Sequence, residues 1–333
     1  MNEAASVVWW EAASLNHLSI LKGAYELGRY ALQRLLGVIP LLFIVSVLVF
    51  LFIHLIPGDP ARLIAGKDAT LEEIRGIQEQ LGLNLPLWKQ YINYMGDLLS
   101  GNLGNSIRSG IPVTDMLESR VMPTLWLTFL SMAWALIIGL LIGVVSAVYR
   151  NRWPDHLGTL TAISGMSIPG FWLGLVLIQI FSVELGWFPT GGVDSWKSYI
   201  LPSITLGMGI MSMLARYSRS SMLETLREDY IRTGRAKGLR EYVVIGRHAL
   251  RNSLIQVVTV AGLQFGFLLG GSVMVETVFS IPGLGRLLVD SILFRDYTVI
   301  QALLLLFATQ FILINLLVDL LYGVLNPKIR FSQ

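Results

Sequence analysis

Six stretches of this chain, residues 35–58, 121–149, 156–183, 198–215, 252–275 and 297–318, contain no Asp, Glu, Lys or Arg. Each reaches the roughly 18 to 20 uncharged, mostly apolar residues that a helix needs to cross the hydrocarbon of a bilayer. A single run of that kind is compatible with a buried helix of a large soluble protein, but six in one chain are not. The fourth run is the shortest and contains Pro202, yet it still qualifies. The expectation is therefore an all-α integral membrane protein with six transmembrane helices.

Composition sharpens that reading. Only 14% of the 333 residues are charged and 54% are hydrophobic, whereas soluble domains carry about 25% charged residues. All 25 basic and 22 acidic residues fall outside the six runs, so the rest of the chain has the charge density of ordinary water-exposed protein. The mean hydropathy of +0.63 excludes a disordered chain, which would be poor in hydrophobes and rich in charge. The absence of cysteine excludes disulfides, thiolate metal sites and a catalytic thiol.

Orientation follows from Lys and Arg, which resist translocation. With the N-terminus in the cytoplasm, the inside segments hold Lys22, Arg29, Arg34, Arg150, Arg152, nine basic residues in 216–251, Lys328 and Arg330. That is 16 of the 25 basic residues, while 13 of the 22 acidic residues fall outside. Both termini are expected in the cytoplasm. Residues 1–34, with Trp9, Trp10, Leu15, Leu18, Leu21, Tyr25 and Tyr30, read as an interfacial amphipathic segment or as a dispensable extension. Residues 35–58 form the first span, 59–120 a small helical extracytoplasmic insertion, and 121–333 a core of five helices. Within the insertion, Thr70 and Glu73 have the spacing of a capping box, with Gly82 as the stop. A second helix is expected over 87–99, with Trp88, Tyr91, Ile92, Met95 and Leu98 on one side.

The long inside loop, 216–251, is the most basic stretch. Ser221 and Glu224 have capping-box spacing, so a helix is expected to open there. Acidic residues Glu224, Glu228 and Asp229 come first and Arg232, Arg235 and Lys237 later, which matches the helix macrodipole. Gly238 suits a left-handed C-cap. The segment reads either as a rigid peg for a cytoplasmic partner or as a solvated basic loop that touches anionic lipid.

Covalent chemistry leaves no signature. There is no Gly-x-x-x-x-Gly-Lys-Ser/Thr loop for ATP and no Gly-x-Ser-x-Gly elbow, and His17, His54, His156 and His248 lack metal-ligand spacing. Polar groups within or beside the spans remain informative, because they are costly in lipid unless satisfied. Asp319 lies four residues after Asn315 on one helix face, where the pair serves either a gate or interhelical bonding. Glu276 and Arg286 flank the broken stretch 279–285 at the outer mouth. There Glu276 either meets a peptide amino group or forms a structural salt bridge. Ser167-Ile-Pro-Gly170 interrupts the third span.

The order of residues in the basic loop is specific. Glu228-Asp-Tyr-Ile-Arg-Thr-Gly-Arg-Ala-Lys-Gly-Leu239, followed by Arg247-His-Ala-Leu-Arg-Asn252, resembles the cytoplasmic signature of the dipeptide/oligopeptide branch of ABC-importer permeases. Ile56-Pro-Gly-Asp-Pro-Ala61, Gly101-Asn-Leu-Gly-Asn-Ser106, Glu276-Thr-Val-Phe-Ser-Ile-Pro-Gly-Leu-Gly-Arg286 and Asn326-Pro-Lys-Ile-Arg330 extend the likeness over roughly residues 30–331. Within that branch the passages Pro60-Ala-Arg-Leu-Ile-Ala-Gly66, Asn151-Arg-Trp-Pro-Asp155 and Gln179-Ile-Phe-Ser-Val-Glu-Leu-Gly-Trp187 resemble the permeases of glutathione importers.

The resemblance implies a type I importer permease fold with a coupling helix that docks on a separate ATPase subunit. The residues carried over are Glu228, Asp229, Tyr230, Arg232, Thr233, Gly234, Arg235, Ala236, Lys237, Gly238 and Leu239. Gly234 stands where the branch has Ala, a departure that weakens the helix by about 1 kcal/mol. The implied partners are a second homologous permease, two cytoplasmic ATPase subunits, an extracytoplasmic substrate-binding protein and the lipid bilayer, with no nucleic acid. No cofactor is implied in this chain, and ATP and Mg2+ belong to the ATPase subunits. The implied location is the bacterial inner membrane. Glu276, Asn315 and Asp319 are the pathway or gate residues this reading would use. The implied cargo is glutathione or a di- or oligopeptide, with nickel or another non-peptide cargo of the same family as the alternative. An ion-coupled secondary transporter would need midplane carboxylates and often an inverted repeat, and no carboxylate lies centrally in any run. A structural membrane subunit with no pathway is the remaining reading.

Overall fold

The structure is a computed structural model that describes residues 29, 31–52, 60–65, 69–80 and 82–325. Residues 1–28, His54 and the passages 53–59 and 326–330 lie outside the described residues. Among those described, all regular secondary structure is helical, apart from one isolated bridge between Asn105 and Pro112.

Among the described residues, four helices are long and apolar enough to cross a membrane: Ala31–Phe52, Val113–Val148, Trp196–Thr225 and Tyr297–Leu320. Two bent pairs bring the number to as many as six. Trp153–Ser167 and Gly170–Glu184 meet at 101°, and Glu241–Leu268 and Ser272–Val278 meet at 54°. We number the helices α1 (Ala31–Phe52), α2 (Pro60–Ala65), α3 (Leu71–Gln80), α4 (Leu87–Leu99), α5 (Val113–Val148), α6 (Trp153–Ser167) and α7 (Gly170–Leu177). They continue with α8 (Ile200–Thr225), α9 (Asp229–Ala236), α10 (Glu241–Val243), α11 (Leu250–Val278), α12 (Leu284–Leu293) and α13 (Tyr297–Leu325). A π-helical turn, Ile178–Glu184, prolongs α7, and another, Val244–Ala249, joins α10 to α11.

The ends of the uncharged runs are not the ends of the helices. Helix α5 starts at Val113 rather than 121, and its first turns carry Asp115, Glu118 and Arg120. At 36 residues it is about 54 Å long at 1.5 Å per residue, well beyond a hydrocarbon thickness of about 30 Å. Helix α8 likewise continues ten residues past the fourth run, through Arg216 and Arg219, to Thr225. A charge ends the lipid-compatible stretch, but the helical ladder is indifferent to it.

This overrun corrects one expectation. Ser221 does not open a helix: it lies inside α8, is 3% exposed, and its hydroxyl donates to the Ser253 carbonyl at 3.2 Å. The helix of the basic segment starts eight residues later, with Glu228 in extended conformation at its N-cap. By contrast, the capping box at Thr70 forms as expected. The Thr70 N–H donates to Glu73 Oε2 at 2.7 Å, and the Glu73 N–H to Thr70 Oγ1 at 3.3 Å. The Thr70 N–H, ahead of its hydroxyl, holds the exposed Glu73 carboxyl below its usual range. Gly82 follows with φ +65°.

Helices α5 and α8 form the centre of the bundle, and α8 also packs against α6, α7 and α11. Helix α5 packs on α8 at backbone distance, since a Cβ on Gly143 would lie 2.5 Å from both the Ala215 carbonyl oxygen and the Ser218 Cβ. Small residues allow such close crossings in lipid. Met132, Ala135, Ile210, Met211, Leu214, Val257 and Leu268 form the core shared by α5, α8 and α11. Trp134 Nε1 donates to the Ser203 carbonyl at 2.7 Å. At the Val113 end, α4 leans on α1: the Tyr91 and Ser46 hydroxyls are 2.7 Å apart, and Phe43 and Phe50 meet the Tyr91 ring edge-on. Trp88 and Ile92, expected beside Tyr91, are instead 61% and 59% exposed. At the opposite end, Ala147, Met222, Ile231, Val244 and Ala249 form a separate small core.

Candidate functional site

Helix α9 sits on that small core. Its one buried side chain is Ile231, 1% exposed, which inserts among Ala147, Met222, Val244 and Ala249. A second tie is polar: Asn252 Nδ2 donates to the Tyr230 hydroxyl at 2.6 Å. The connection to α8 has no slack. Leu226, Arg227 and Glu228 donate their N–H groups to Met222, Glu224 and Thr225 carbonyls at 2.9, 3.0 and 3.1 Å. The helix is therefore mounted rigidly although little of it is buried.

Its C-terminus is closed by a Schellman arrangement. Gly238 has φ +77°, its N–H donates to the Arg235 carbonyl at 3.0 Å, and the Leu239 N–H donates to the Gly234 carbonyl at 3.2 Å. A Cβ on Gly234 would meet only Leu239 Cδ1, at 3.5 Å. Arg235 grips Glu241 in α10 through Nε at 3.2 Å and Nη2 at 2.6 Å. That carboxylate holds the Arg235 guanidinium above its ordinary range. Arg232 faces Asp229 at 3.7 Å, both largely exposed. Glu228, Thr233, Ala236 and Lys237 are also exposed. The result is a short, capped helix of mixed charge that presents all but one residue row to its surroundings.

Glu276 lies near the other end of the bundle, in α11, and is 0% exposed. Thr124 Oγ1 in α5 donates to Glu276 Oε1 at 2.7 Å, and the Arg286 N–H in α12 donates to Oε2 at 3.0 Å. The Leu284 N–H in turn donates to Thr124 Oγ1 at 2.8 Å. The first turn of α12 is thus held to α5 and α11 by one carboxylate and one hydroxyl. The link to Arg286 runs through its backbone. The seam beside it is closed by Leu127, Leu201, Val275, Phe279 and Ile281.

Asp319 in α13 pairs with Arg34 in α1 at 3.3 Å, with the two side chains 39% and 50% exposed. Asn315 is half-buried one turn earlier. Two contacts had no local signal in the sequence. Asp155 and Arg219 form a two-pronged ion pair, and Asp296 accepts from the Ser106 hydroxyl and from the Ile107 N–H. A cavity of about 620 Å³ opens between α4 and the start of α13, with Tyr94, Asp97, Asn93 and Gln301 in its wall.

Residues 139–331 match the family of binding-protein-dependent transport system inner membrane components, and residues 27–127 match the N-terminal family of such membrane components. The matched stretch contains α9, Glu276 and Asp319. The chain belongs to this family. Among its relatives, the glutathione transport system permease protein GsiC of Escherichia coli O6:H1 is 59% identical over 303 residues, 91% of this chain and 99% of that protein. The GsiC of Escherichia coli K12 is 58% identical over the same shares. Inward-facing structures of the MetNI methionine ABC transporter share the fold, with a TM-score of 0.56 at 24% identity over 64% of this chain and 97% of that one. A crystal structure of an amino acid ABC transporter with histidines gives 0.52 at 15% identity, over 63% and 94%. The family match thus makes the stretch from α6 to α13 part of a transport-system membrane component.

Proposed function

We propose that this chain is the permease subunit of an ABC importer that brings glutathione or a related small peptide across the bacterial inner membrane. The 59% identity to GsiC over 99% of that protein's length carries the reading. In it the chain crosses the membrane six times with both termini in the cytoplasm. Residues 59–120 form the extracytoplasmic insertion and 121–333 the five-helix core. It builds half of a pathway with a second homologous permease, receives cargo from an extracytoplasmic binding protein, and contains no ATPase site. ATP and Mg2+ bind to two separate ATPase subunits.

Residues 228–239 are the segment proposed to dock on one of those subunits. Three features support this assignment: the exposure of α9, its closed C-terminus and its slack-free link to α8. Asn315 and Asp319 are proposed to act at the inner gate through the Arg34 pair. Glu276 serves the outer end by holding the seam rather than by touching cargo.

The test is ATP-dependent uptake by the full complex reconstituted in liposomes, with labelled glutathione, a dipeptide panel and Ni2+ supplied in turn. Glutathione uptake that requires both the ATPases and the binding protein is expected. Uptake by this chain alone, without ATPase subunits, would overturn the importer reading. Transport of Ni2+ but not glutathione would overturn the cargo.

A further inference from the structure

Asp155 is a carboxylate near the start of α6, and it is 2% exposed. It accepts from Arg219 in α8 twice, from Nε to Oδ1 at 2.6 Å and from Nη2 to Oδ2 at 2.9 Å. A third bond, from the Asn151 N–H to Oδ2 at 2.9 Å, ties in the turn between α5 and α6. Asn151 holds φ +60° there, a conformation few side-chain-bearing residues adopt. Three elements therefore converge on one carboxylate.

Burial alone does not explain this pair. A buried ion pair is weak evidence for stability, since apolar residues of similar volume often serve as well. What the two-pronged bond supplies is direction: two parallel bonds fix both the distance and the rotation between the groups. The remaining contacts between α6 and α8 are not directional in that sense. Gly165 of α6 lies against Ser212 of α8 with no room for a Cβ, while Gly158 lies against Ser146 of α5. Smooth contacts of this kind allow close approach and also allow sliding. Among the described residues, Asp155–Arg219 is the one side-chain hydrogen-bonded link between α6 and α8.

Its position in the chain gives it a use. Arg219 is six residues before the end of α8, about 9 Å along the axis. The three residues between α8 and α9 all donate to carbonyls of α8, so no loop separates Arg219 from α9. On the other side, α6 runs as an unbroken rod of 15 residues, about 22 Å. It ends at Ile168–Pro169, where the chain turns by 101° into α7. We propose that Asp155 and Arg219 are positioning residues of the transport cycle, whose fork makes α6 follow the α8–α9 arm and so carries a displacement at α9 to the bend at Ile168–Pro169. This rests on the reading of α9 as the ATPase-docking helix.

The experiment uses the assembled importer in liposomes, reading assembly, basal ATPase rate and cargo imported per ATP hydrolysed. Asp155→Asn keeps the shape and removes the charge, and Arg219→Lys keeps the charge and removes the fork. Both are expected to assemble, hydrolyse ATP at the normal basal rate, and import about tenfold less per ATP, within the usual range of coupling between distant sites. Normal import per ATP in both variants would overturn the proposal. Should either single change prevent assembly, the apolar pair Asp155→Leu with Arg219→Met restores packing without the fork. Uncoupled ATP hydrolysis in that double variant supports the proposal, and wild-type coupling in it would reduce the pair to packing and overturn it. Gly238→Arg, run in parallel, separates the two readings. Full coupling in that variant defeats the docking role of α9, whereas normal coupling confined to the Asp155 and Arg219 variants defeats only the fork.

Discussion

The seam around Glu276 and the helix α9 contain the two most conspicuous polar patterns in the chain, and they are built in opposite ways. At the seam, a carboxylate with no exposure spends its acceptors on Thr124 and on the Arg286 N–H, and Thr124 accepts the Leu284 N–H. Every partner belongs to the bundle, so nothing is left over to recognise another molecule. In α9 one apolar side chain, Ile231, one hydroxyl bond, at Tyr230, and the exposed Arg235–Glu241 pair attach a helix whose other side chains face outward. The first arrangement fixes three helices relative to one another. The second offers a surface while losing little orientation. Polarity in a membrane protein thus marks architecture where it is closed on itself and marks contact where it is capped but open.

The strongest way to break that contrast is Glu276→Ala. It strips the acceptor from the buried Thr124 hydroxyl and from the half-buried Arg286 N–H, at about 1–3 kcal/mol for each unsatisfied group. A loss of about 3 kcal/mol or more is expected, read as a lowered thermal midpoint of the purified complex. A midpoint within a degree of wild type would show that the seam is not closed on this residue. Ile231→Ala comes next. Removing that side chain from the small core is expected to cost about 2–3 kcal/mol, but locally. Hydrogen exchange should accelerate over 229–238 and stay unchanged around Glu276. Equal acceleration in both regions would mean that α9 is not mounted separately.

Which parts of this were legible in the sequence depends on how far the decisive contact reaches. The box at Thr70 and the stop at Gly238 need partners only three to five residues away, so the local pattern contains all the physics. Helix α4 falls on the expected residues 87–99 for the same reason. Ser221 and Glu224 show the limit, because their spacing is also compatible with the interior of a longer helix. The stripe Leu214, Ser218, Ser221 and Met222, buried at helical intervals, identifies that helix, and an eye fixed on charge passes over it. The links Asp155–Arg219, Ser106–Asp296 and Thr124–Glu276 join residues 64, 190 and 152 positions apart. No local pattern marks such pairs. Periodicity predicts which face of a helix is buried and leaves open what it is buried against.

Two smaller changes sharpen the comparison within α9 itself. A Cβ at Gly238 would meet nothing within 4 Å, but φ is +77°, so Gly238→Arg costs about 1–2 kcal/mol of backbone strain and adds bulk to the proposed docking surface. Membrane insertion should be normal while imported cargo per ATP falls, and unchanged uptake would argue against docking here. Gly234→Ala should act in the other direction. Glycine inside a helix is less favourable than alanine by about 0.8–1.0 kcal/mol, and the added methyl would touch only Leu239 Cδ1, at an ordinary 3.5 Å. This contact is also the one that a Schellman closure favours, between the residue after the glycine and the last turn. The variant is therefore expected to slow exchange over 229–238 by up to about fivefold, the equivalent of 1 kcal/mol, without altering uptake. If exchange slows and uptake falls as well, α9 must yield during the cycle, and glycine at 234 is there to let it.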